Sequence, residues 1–150
     1  MQLRPKAIVI ALFVVCPFLS FSQTDNMVLK CPFEHGSGRE PKEAFTWSPP
    51  DRKVIMISHV DSLIRSAVTG TVTNVDKGDD SSYEIVVNIK DLYFWYYGVE
   101  MPFVKRGQTV KAGETIGKYK FGTELEFRMF KNEDMLDPRN LLECKVPKAE

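Results

Sequence analysis

The stretch that decides the fold is Val104-Lys-Arg-Gly-Gln-Thr-Val-Lys-Ala-Gly-Glu-Thr-Ile-Gly-Lys-Tyr-Lys-Phe-Gly-Thr-Glu-Leu-Glu-Phe127. Gly107 and Gly113 lie six residues apart, and the apolar residues Val104, Val110 and Ile116 are spaced around them. Glycine adopts a positive φ without strain, so this spacing is typical of tight turns between very short strands. It predicts a β-hairpin corner, and by itself it indicates no chemistry.

The strand after this corner carries the candidate functional surface. Its apolar residues are Leu125, Phe127 and Met129, and they alternate with Glu124, Glu126 and Arg128. Side chains alternate between the two faces of a strand, so one face is expected to contact a core and the other to present two carboxylates and a guanidinium. Any site on this chain should include that polar face.

The rest of the chain also has the pattern of strands. The candidate strands are residues 53–58, 64–75, 83–89 and 92–97. Gly70 predicts a bend or a close backbone approach within the second of them. Helix is limited to a short predicted turn that begins at Asp137-Pro138. The sequence therefore predicts an all-β single domain, a small barrel or sandwich.

Composition and the N-terminus indicate export. The chain has 150 residues, 43% of them hydrophobic, which suits one domain. Residues 1–22 combine Arg4 and Lys6 with an apolar run and then small residues, so we expect a signal peptide cleaved near Ser22. The apolar run is about half of the roughly 20 residues that a membrane anchor needs, so no membrane span is expected after cleavage. The predicted divisions are signal peptide 1–22, extended lead-in 23–50, domain 51–143 and C-terminal tail 144–150.

Charge and cysteine usage agree with a periplasmic or extracellular location. Loss of Arg4 and Lys6 with the signal peptide changes the formal net charge from zero to −2, which argues against a nucleic-acid partner. Cys31 and Cys144 then remain near the two ends of the chain. In an oxidising compartment they predict a disulfide, with two unpaired thiols as the alternative.

Three segments together resemble the lysostaphin/LytM-type zinc endopeptidases, which cut peptidoglycan cross-bridges. They are residues 64–72 with Ser-Ala-x-x-Gly-x-Val, residues 96–117 with the glycine corner, and residues 124–142 with Asp137-Pro138. The family commonly has an aromatic strand ending in Tyr-x-His-Leu, the same glycine corner, His-x-His-Phe and a terminal Asp-Pro. Over about residues 53–142, the resemblance implies the family's β-sheet groove, which is related to barrel-sandwich domains (the duplicated hybrid motif).

The resemblance also assigns positions to the family's zinc site, where a His and an Asp four residues apart join the second His of His-x-His. Here the first pair falls at Asp51 and Ile55. The His-x-His positions hold Glu124 and Glu126, and the Tyr-x-His position holds Gly98. The resemblance therefore implies a degenerate member that lacks the family's catalytic residues, and no metal or other cofactor is expected.

Alternative metal sets remain open, because the sequence contains two histidines, His35 and His59. A mixed set of His59, Asp61 and Glu126 would supply three protein ligands for zinc. Cys31, Glu34 and His35 also lie within five residues, although a solvated loop is the commoner use of such a segment. For Glu126 we favour pairing with Arg128 or with a lysine across the sheet over binding of Ca²⁺.

The leading functional hypothesis is an exported, catalytically inactive peptidase-like domain of the cell envelope. Its groove would contain Glu124, Glu126, Arg128 and Tyr96 and would bind peptidoglycan or a partner cell-wall hydrolase. The first alternative is an active metalloendopeptidase with altered ligands that cuts peptidoglycan cross-bridges. The second is a barrel-sandwich scaffold or carrier, for which Lys77 is the one candidate lysine on a hairpin.

Overall fold

The computed structural model describes residues 27–39 and 51–146, and within these ranges the chain is all β with no helix. The predicted signal peptide, residues 23–26 and 40–50 of the predicted lead-in, and residues 147–150 of the predicted tail lie outside the described residues. The strands are β1 (Ser37–Arg39), β2 (Val54–Ile57), β3 (Leu63–Arg65), β4 (Gly70–Lys77), β5 (Tyr83–Ile89), β6 (Leu92–Val99), β7 (Met101–Pro102), β8 (Thr109–Val110), β9 (Thr115–Lys118), β10 (Leu125–Lys131) and β11 (Asp134–Leu136).

A large antiparallel sheet forms the body of the domain, with strand order β1-β2-β10-β6-β5-β4-β8 and β11 added beside β10. Its centre is aromatic, because alternate residues of β6 and β10 point into the core. The Tyr96 and Phe127 ring centroids lie 5.1 Å apart, and those of Phe94 and Phe127 lie 6.4 Å apart. The all-β prediction is confirmed, and its physical basis is the alternation that the sequence displays.

A smaller sheet, with order β3-β9-β7, packs onto this core. Ile64 and Ile116 from the small sheet belong to the same buried cluster as Ile85 and Val87 from the large one. Gly107 and Gly113 have φ of 86° and 82°. Each lies in a turn that is followed by a short strand, β8 after Gly107 and β9 after Gly113. The predicted glycine corner is therefore confirmed.

The predicted strand 64–75 is divided in the structure. β3 ends at Arg65, and β4 begins at Gly70 as part of the other sheet. The intervening Ser66 is fully buried, and its hydroxyl donates to the Val68 carbonyl at 2.7 Å. The chain crosses between the two sheets here. A Cβ at Gly70 would lie 2.5 Å from the Asn88 carbonyl oxygen, a steric overlap that explains the glycine.

The described part of the predicted lead-in, residues 27–39, packs against the domain. Leu29 forms a parallel bridge with Leu142, and β1 pairs with β2 at the edge of the large sheet. Cys31 and Cys144 form a disulfide, with their Cα atoms 5.4 Å apart. The disulfide prediction is confirmed, and it joins the two ends of the described chain.

The segment after β11 forms a single hydrogen-bonded turn, at the place where the sequence predicts a short helical turn. Asp137 caps it as expected, since its carboxylate accepts the Arg139 backbone N–H at 3.0 Å. The turn closes through hydrogen bonds from the Leu141 and Leu142 backbone N–H groups to the Pro138 carbonyl oxygen.

Across the described residues, no helix is long and apolar enough to span a membrane.

Candidate functional site

The polar face of β10 is arranged as the alternation predicts. Leu125, Phe127 and Met129 are buried, whereas Glu126 and Arg128 are half-buried on the opposite face and Glu124, just before the strand, is exposed. The alternation in the sequence therefore predicts correctly which face of this strand is buried.

Strand register places the positions of the family's zinc site beside one another. Glu126 lies opposite Ile55 of β2 on one side and opposite Tyr97 of β6 on the other. Gly98 follows Tyr97 directly. Ile55 is only 3% exposed, and its hydrocarbon side chain offers no ligand atom at this position.

Glu126 is the centre of an ion-pair cluster. The Lys53 ammonium lies 2.9 Å from one carboxylate oxygen of Glu126, and the Arg128 guanidinium lies 2.6 Å from the other. Lys53 also lies 3.5 Å from Asp51. These side chains are between 19% and 31% exposed, so their attraction is less screened than that of a fully solvated pair. The expected pairing of Glu126 is thus present, with Lys53 as the lysine across the sheet.

Arg128 has a second constraint. Its Nε atom is buried and has no hydrogen-bond partner among the described residues. A guanidinium that is partly removed from water depends on its remaining acceptors, so the Glu126 carboxylate is the group that compensates this charge.

An open groove of about 550 Å³ lies beside Glu126. Its walls are Asp80, Ser81, Ser82, Tyr97, Gly98, Glu100, Lys120, Thr123, Glu124 and Glu126. Three of the positions singled out from the sequence, Gly98, Glu124 and Glu126, therefore line one groove. Arg128, which pairs with Glu126, does not line this groove.

The sequence-based assignment of Tyr96 to the groove is wrong. Tyr96 is fully buried, and its hydroxyl accepts the Ala67 backbone N–H at 2.7 Å. Burial raises the pKa of Tyr96 to about 12, although the hydrogen bonds from Ala67 and Ser66 act in the opposite direction. The next residue, Tyr97, is the tyrosine that lines the groove, because consecutive side chains of a strand point to opposite faces.

Tyr97 is held by the hairpin turn between β4 and β5. Its hydroxyl hydrogen-bonds with Ser82, which by itself lowers the pKa of Tyr97. Loss of hydration and the charges of Asp80 and Glu126 outweigh that effect and raise the pKa. The Ser82 hydroxyl and backbone N–H both donate to Asp80, at 2.7 and 3.0 Å, and hold the pKa of this carboxyl below its usual range. Asp80 is therefore an ionised part of the groove wall.

Gly98 has a conformation that excludes a side chain. Its φ is 99°, and a Cβ built on it would overlap the backbone carbonyl oxygen of Glu124. Glu124 itself pairs through its carboxylate with Arg39 of β1. The backbone around the Tyr-x-His position is therefore fitted to glycine in this chain.

The alternative metal set is not assembled. Among the described residues, the groups that could hold a metal do not include His59 with Asp61 and Glu126. His59 is exposed beside Gly122. Asp61 instead lies next to Glu34 and His35, and the potential ligand atoms of these three residues all lie within 4.8 Å of one another.

Sequence reasoning missed the groove wall opposite β10. Asp80, Ser81 and Ser82 lie between the predicted strands 64–75 and 83–89, and the sequence does not indicate that they are neighbours of Glu126. Lys53 was also missed, because its role depends on the pairing of β2 with β10. The one available signal was the order of the predicted strands. If strands 83–89 and 92–97 form a hairpin, the end of the aromatic strand lies beside the turn that precedes residue 83.

Comparisons with known proteins agree with this architecture. Solved structures of similar fold include Csd3 from Helicobacter pylori, with a TM-score of 0.65 and 22% identity over 78% of this chain. The chain spans only 33% of Csd3. The antimicrobial peptidase lysostaphin from Staphylococcus simulans has a TM-score of 0.52 and 21% identity, covering 67% of this chain and 46% of lysostaphin.

A chain of the SpoIIQ–SpoIIIAH pore-forming complex is also similar, with a TM-score of 0.63 and 18% identity. The similar region covers 91% of that chain and 77% of this one. A search of curated protein sequences finds no match. The sequence profile described as Peptidase family M23 matches residues 52–138. This match includes β2 to β11 and the whole of the polar strand, and the chain therefore belongs to peptidase family M23.

Proposed function

We propose that this chain is a non-catalytic M23 domain, exported to the cell envelope, that binds peptidoglycan or a partner cell-wall hydrolase in the groove beside β10. The observation that carries the proposal is the state of Glu126. This residue stands at the position of a family zinc ligand, and both of its carboxylate oxygens are bound by cations, Lys53 and Arg128.

The residues at the family's zinc positions do not fit zinc. A catalytic zinc site needs three protein ligands with nitrogen, sulfur or oxygen donors and one open position. Of the three ligand positions, Asp51 and Glu126 hold carboxylates, but Ile55 offers only a hydrocarbon side chain. Gly98, at the position of a histidine that acts on the attacking water, has no side chain. Lys53 brings a positive charge to within 2.9 Å of Glu126, which disfavours a second cation at the same carboxylate. No hydrolytic step through a metal is therefore derived for this groove.

A binding role is supported by the groove that remains. It combines ionised carboxylates, the Lys120 ammonium, several hydroxyls and the Tyr97 ring, which are groups that peptides and sugars engage through hydrogen bonds and ring contacts. A chain of similar fold takes part in the SpoIIQ–SpoIIIAH pore-forming complex, which is a precedent for partner binding. Export is supported by the features of residues 1–22 and by the Cys31–Cys144 disulfide, which persists in oxidising compartments.

The catalytic part of the proposal is tested on purified cell-wall sacculi with added zinc. We expect the intact protein to release no cross-link fragments. Release of fragments by the intact protein, with loss of release in Glu126→Ala, would establish the active metalloendopeptidase and make Glu126 a ligand or base.

The binding part is tested by co-sedimentation with sacculi and by addition to a purified cell-wall hydrolase. Tyr97→Ala removes the aromatic wall of the groove and is expected to weaken binding or activation about tenfold, as loss of a tyrosine anchor does elsewhere. Tyr93→Ala is the matched control, because Tyr93 lies on the same face of β6 and does not line the groove. If the intact protein neither binds sacculi nor changes hydrolase activity, the binding role is wrong.

A further inference from the structure

Two loops outside the groove bring together metal-ligating side chains that are distant in sequence. The loop before β1 supplies Glu34 and His35, and the loop after β2 supplies Asp61. The His35 backbone N–H donates to Asp61 Oδ2 at 3.0 Å. His35 Nδ1 and Asp61 Oδ1 face each other at 3.4 Å.

The separation of these two side-chain atoms is informative. At 3.4 Å it exceeds the roughly 2.7–3.2 Å of ordinary N–H···O hydrogen bonds. Two ligands of a tetrahedral zinc ion, each bound at about 2.0–2.1 Å, lie about 3.3 Å apart. The 3.4 Å separation is therefore compatible with two ligands of one zinc ion as well as with a long hydrogen bond, and the Glu34 carboxylate lies within 4.8 Å of both groups.

The backbone on either side of these ligands is fixed. Phe33 is buried, and its ring centroid lies 4.5 Å from that of Tyr119. The Cys31–Cys144 disulfide anchors the same loop three residues before Glu34. A metal would thus meet ligands on an ordered loop, and little conformational entropy would be lost on binding.

Asp61 is held in one orientation by its hydrogen bonds. The Ser58 hydroxyl donates to Oδ2 at 2.7 Å, which orients Oδ1 toward the His35 ring. Such a supporting hydrogen bond is a usual feature of ligating carboxylates.

We propose that Glu34, His35 and Asp61 form a surface Zn²⁺ site, with solvent at the fourth position. One imidazole nitrogen and two carboxylate oxygens are donors that zinc accepts, and an open fourth position is compatible with the exposure of Glu34 and His35. The site uses none of the positions that the family resemblance assigns to zinc, and it is independent of the proposed groove function. A bound ion would crosslink the loop before β1 to the loop after β2.

Arg65 is the competitor for this site. Its guanidinium binds the Glu34 carboxylate, and both side chains are more than a third exposed. Exposed ion pairs of this kind contribute little to stability, so a divalent cation can displace the guanidinium. The competition predicts that removing Arg65 strengthens metal binding, which nonspecific surface binding would not do.

The test is calorimetric titration of the purified protein with Zn²⁺, together with Co²⁺ absorption as a readout of coordination geometry. His35→Asn is expected to weaken Zn²⁺ binding by about 100-fold or more. Arg65→Gln is expected to strengthen it about two- to five-fold. His59→Asn is the matched control, since the sequence has only these two histidines, and it should leave the affinity unchanged.

Each outcome bears on the proposal. Loss of binding in His35→Asn with retention in His59→Asn supports the site, and low-symmetry Co²⁺ bands that disappear in His35→Asn support its geometry. Absence of saturable Zn²⁺ binding, or equal affinity in His35→Asn and the unchanged protein, overturns it. Circular dichroism of His35→Asn shows whether the variant keeps the fold, so that a loss of Zn²⁺ binding is not mistaken for unfolding.

Discussion

The backbone carbonyl oxygen of Glu124 occupies the space where a side chain at Gly98 would begin. A Cβ at position 98 would overlap that oxygen, and the φ of 99° is itself unfavourable for any residue except glycine. The contact joins the end of β6 to the start of β10, so the groove wall is shaped by backbone rather than by a histidine. It also means that a single substitution cannot rebuild the family's Tyr-x-His residue here.

Gly98→Ala is therefore expected to cost about 2–5 kcal/mol of unfolding free energy, from backbone strain plus overpacking. Gly107→Ala is the matched control, because Gly107 has a similar φ of 86° and nothing within 4 Å of a built Cβ. Strain alone should cost this control about 1–2 kcal/mol. Urea denaturation measures both, and equal costs would remove the steric argument.

Glu126→Gln is expected to destabilise the domain by about 1–3 kcal/mol, because it removes the carboxylate that pairs with the half-buried Arg128 and leaves Lys53 with Asp51 alone, at 3.5 Å. Glu100→Gln is the control. It breaks the Lys118–Glu100 pair, which is 46% and 38% exposed, and should change stability by less than about 1 kcal/mol. Similar losses in the two variants, measured by chemical denaturation, would contradict the role given to Glu126.

Alkaline pH is expected to destabilise the protein through Tyr96, whose pKa rises from 10.0 to about 12 in the fold. Below a pH of about 10 the hydroxyl is protonated in both the folded and the unfolded chain, so its contribution is complete. Between these two values the unfolded chain loses the proton and the folded chain keeps it, so stability falls by up to about 2–3 kcal/mol.

Tyr96→Phe should reduce this alkaline slope and should also cost about 1–3 kcal/mol at neutral pH, because the Ala67 N–H loses its acceptor. Tyr93→Phe, on the opposite face of β6, should keep the slope of the unchanged protein. Denaturation midpoints measured at a series of alkaline pH values distinguish the variants. An unaltered slope in Tyr96→Phe would show that other groups dominate.

Reduction of the Cys31–Cys144 disulfide should lower the unfolding free energy by about 2–5 kcal/mol, since the bond connects residues separated by 113 positions. The double variant Cys31→Ser with Cys144→Ser should have the lower stability from the start and should not respond to reductant. Urea denaturation with and without reductant makes the comparison. A further loss on reduction of the double variant would mean that the effect does not come from this disulfide.

The sequence by itself determined the fold class and the polar face of β10. Alternation of Leu125, Phe127 and Met129 with charged residues leaves one way to bury the apolar set, and glycines at 107 and 113 specify the corner before it. These are local properties, since strand periodicity and turn conformation depend on neighbouring residues. The disulfide was also predictable, because the cysteines lie near opposite ends of the domain.

Only the tertiary structure decided which side chains meet. In β6 both Tyr96 and Tyr97 are aromatic, so the pattern did not distinguish the core residue from the groove residue, and packing against Phe127 made that choice. Lys53 reaches Glu126 because β2 pairs with β10 across 73 positions of sequence, and His35 reaches Asp61 because two loops fold together. Such contacts depend on long-range strand pairing and on the packing of two sheets around one core, which the local spacing of residues does not encode.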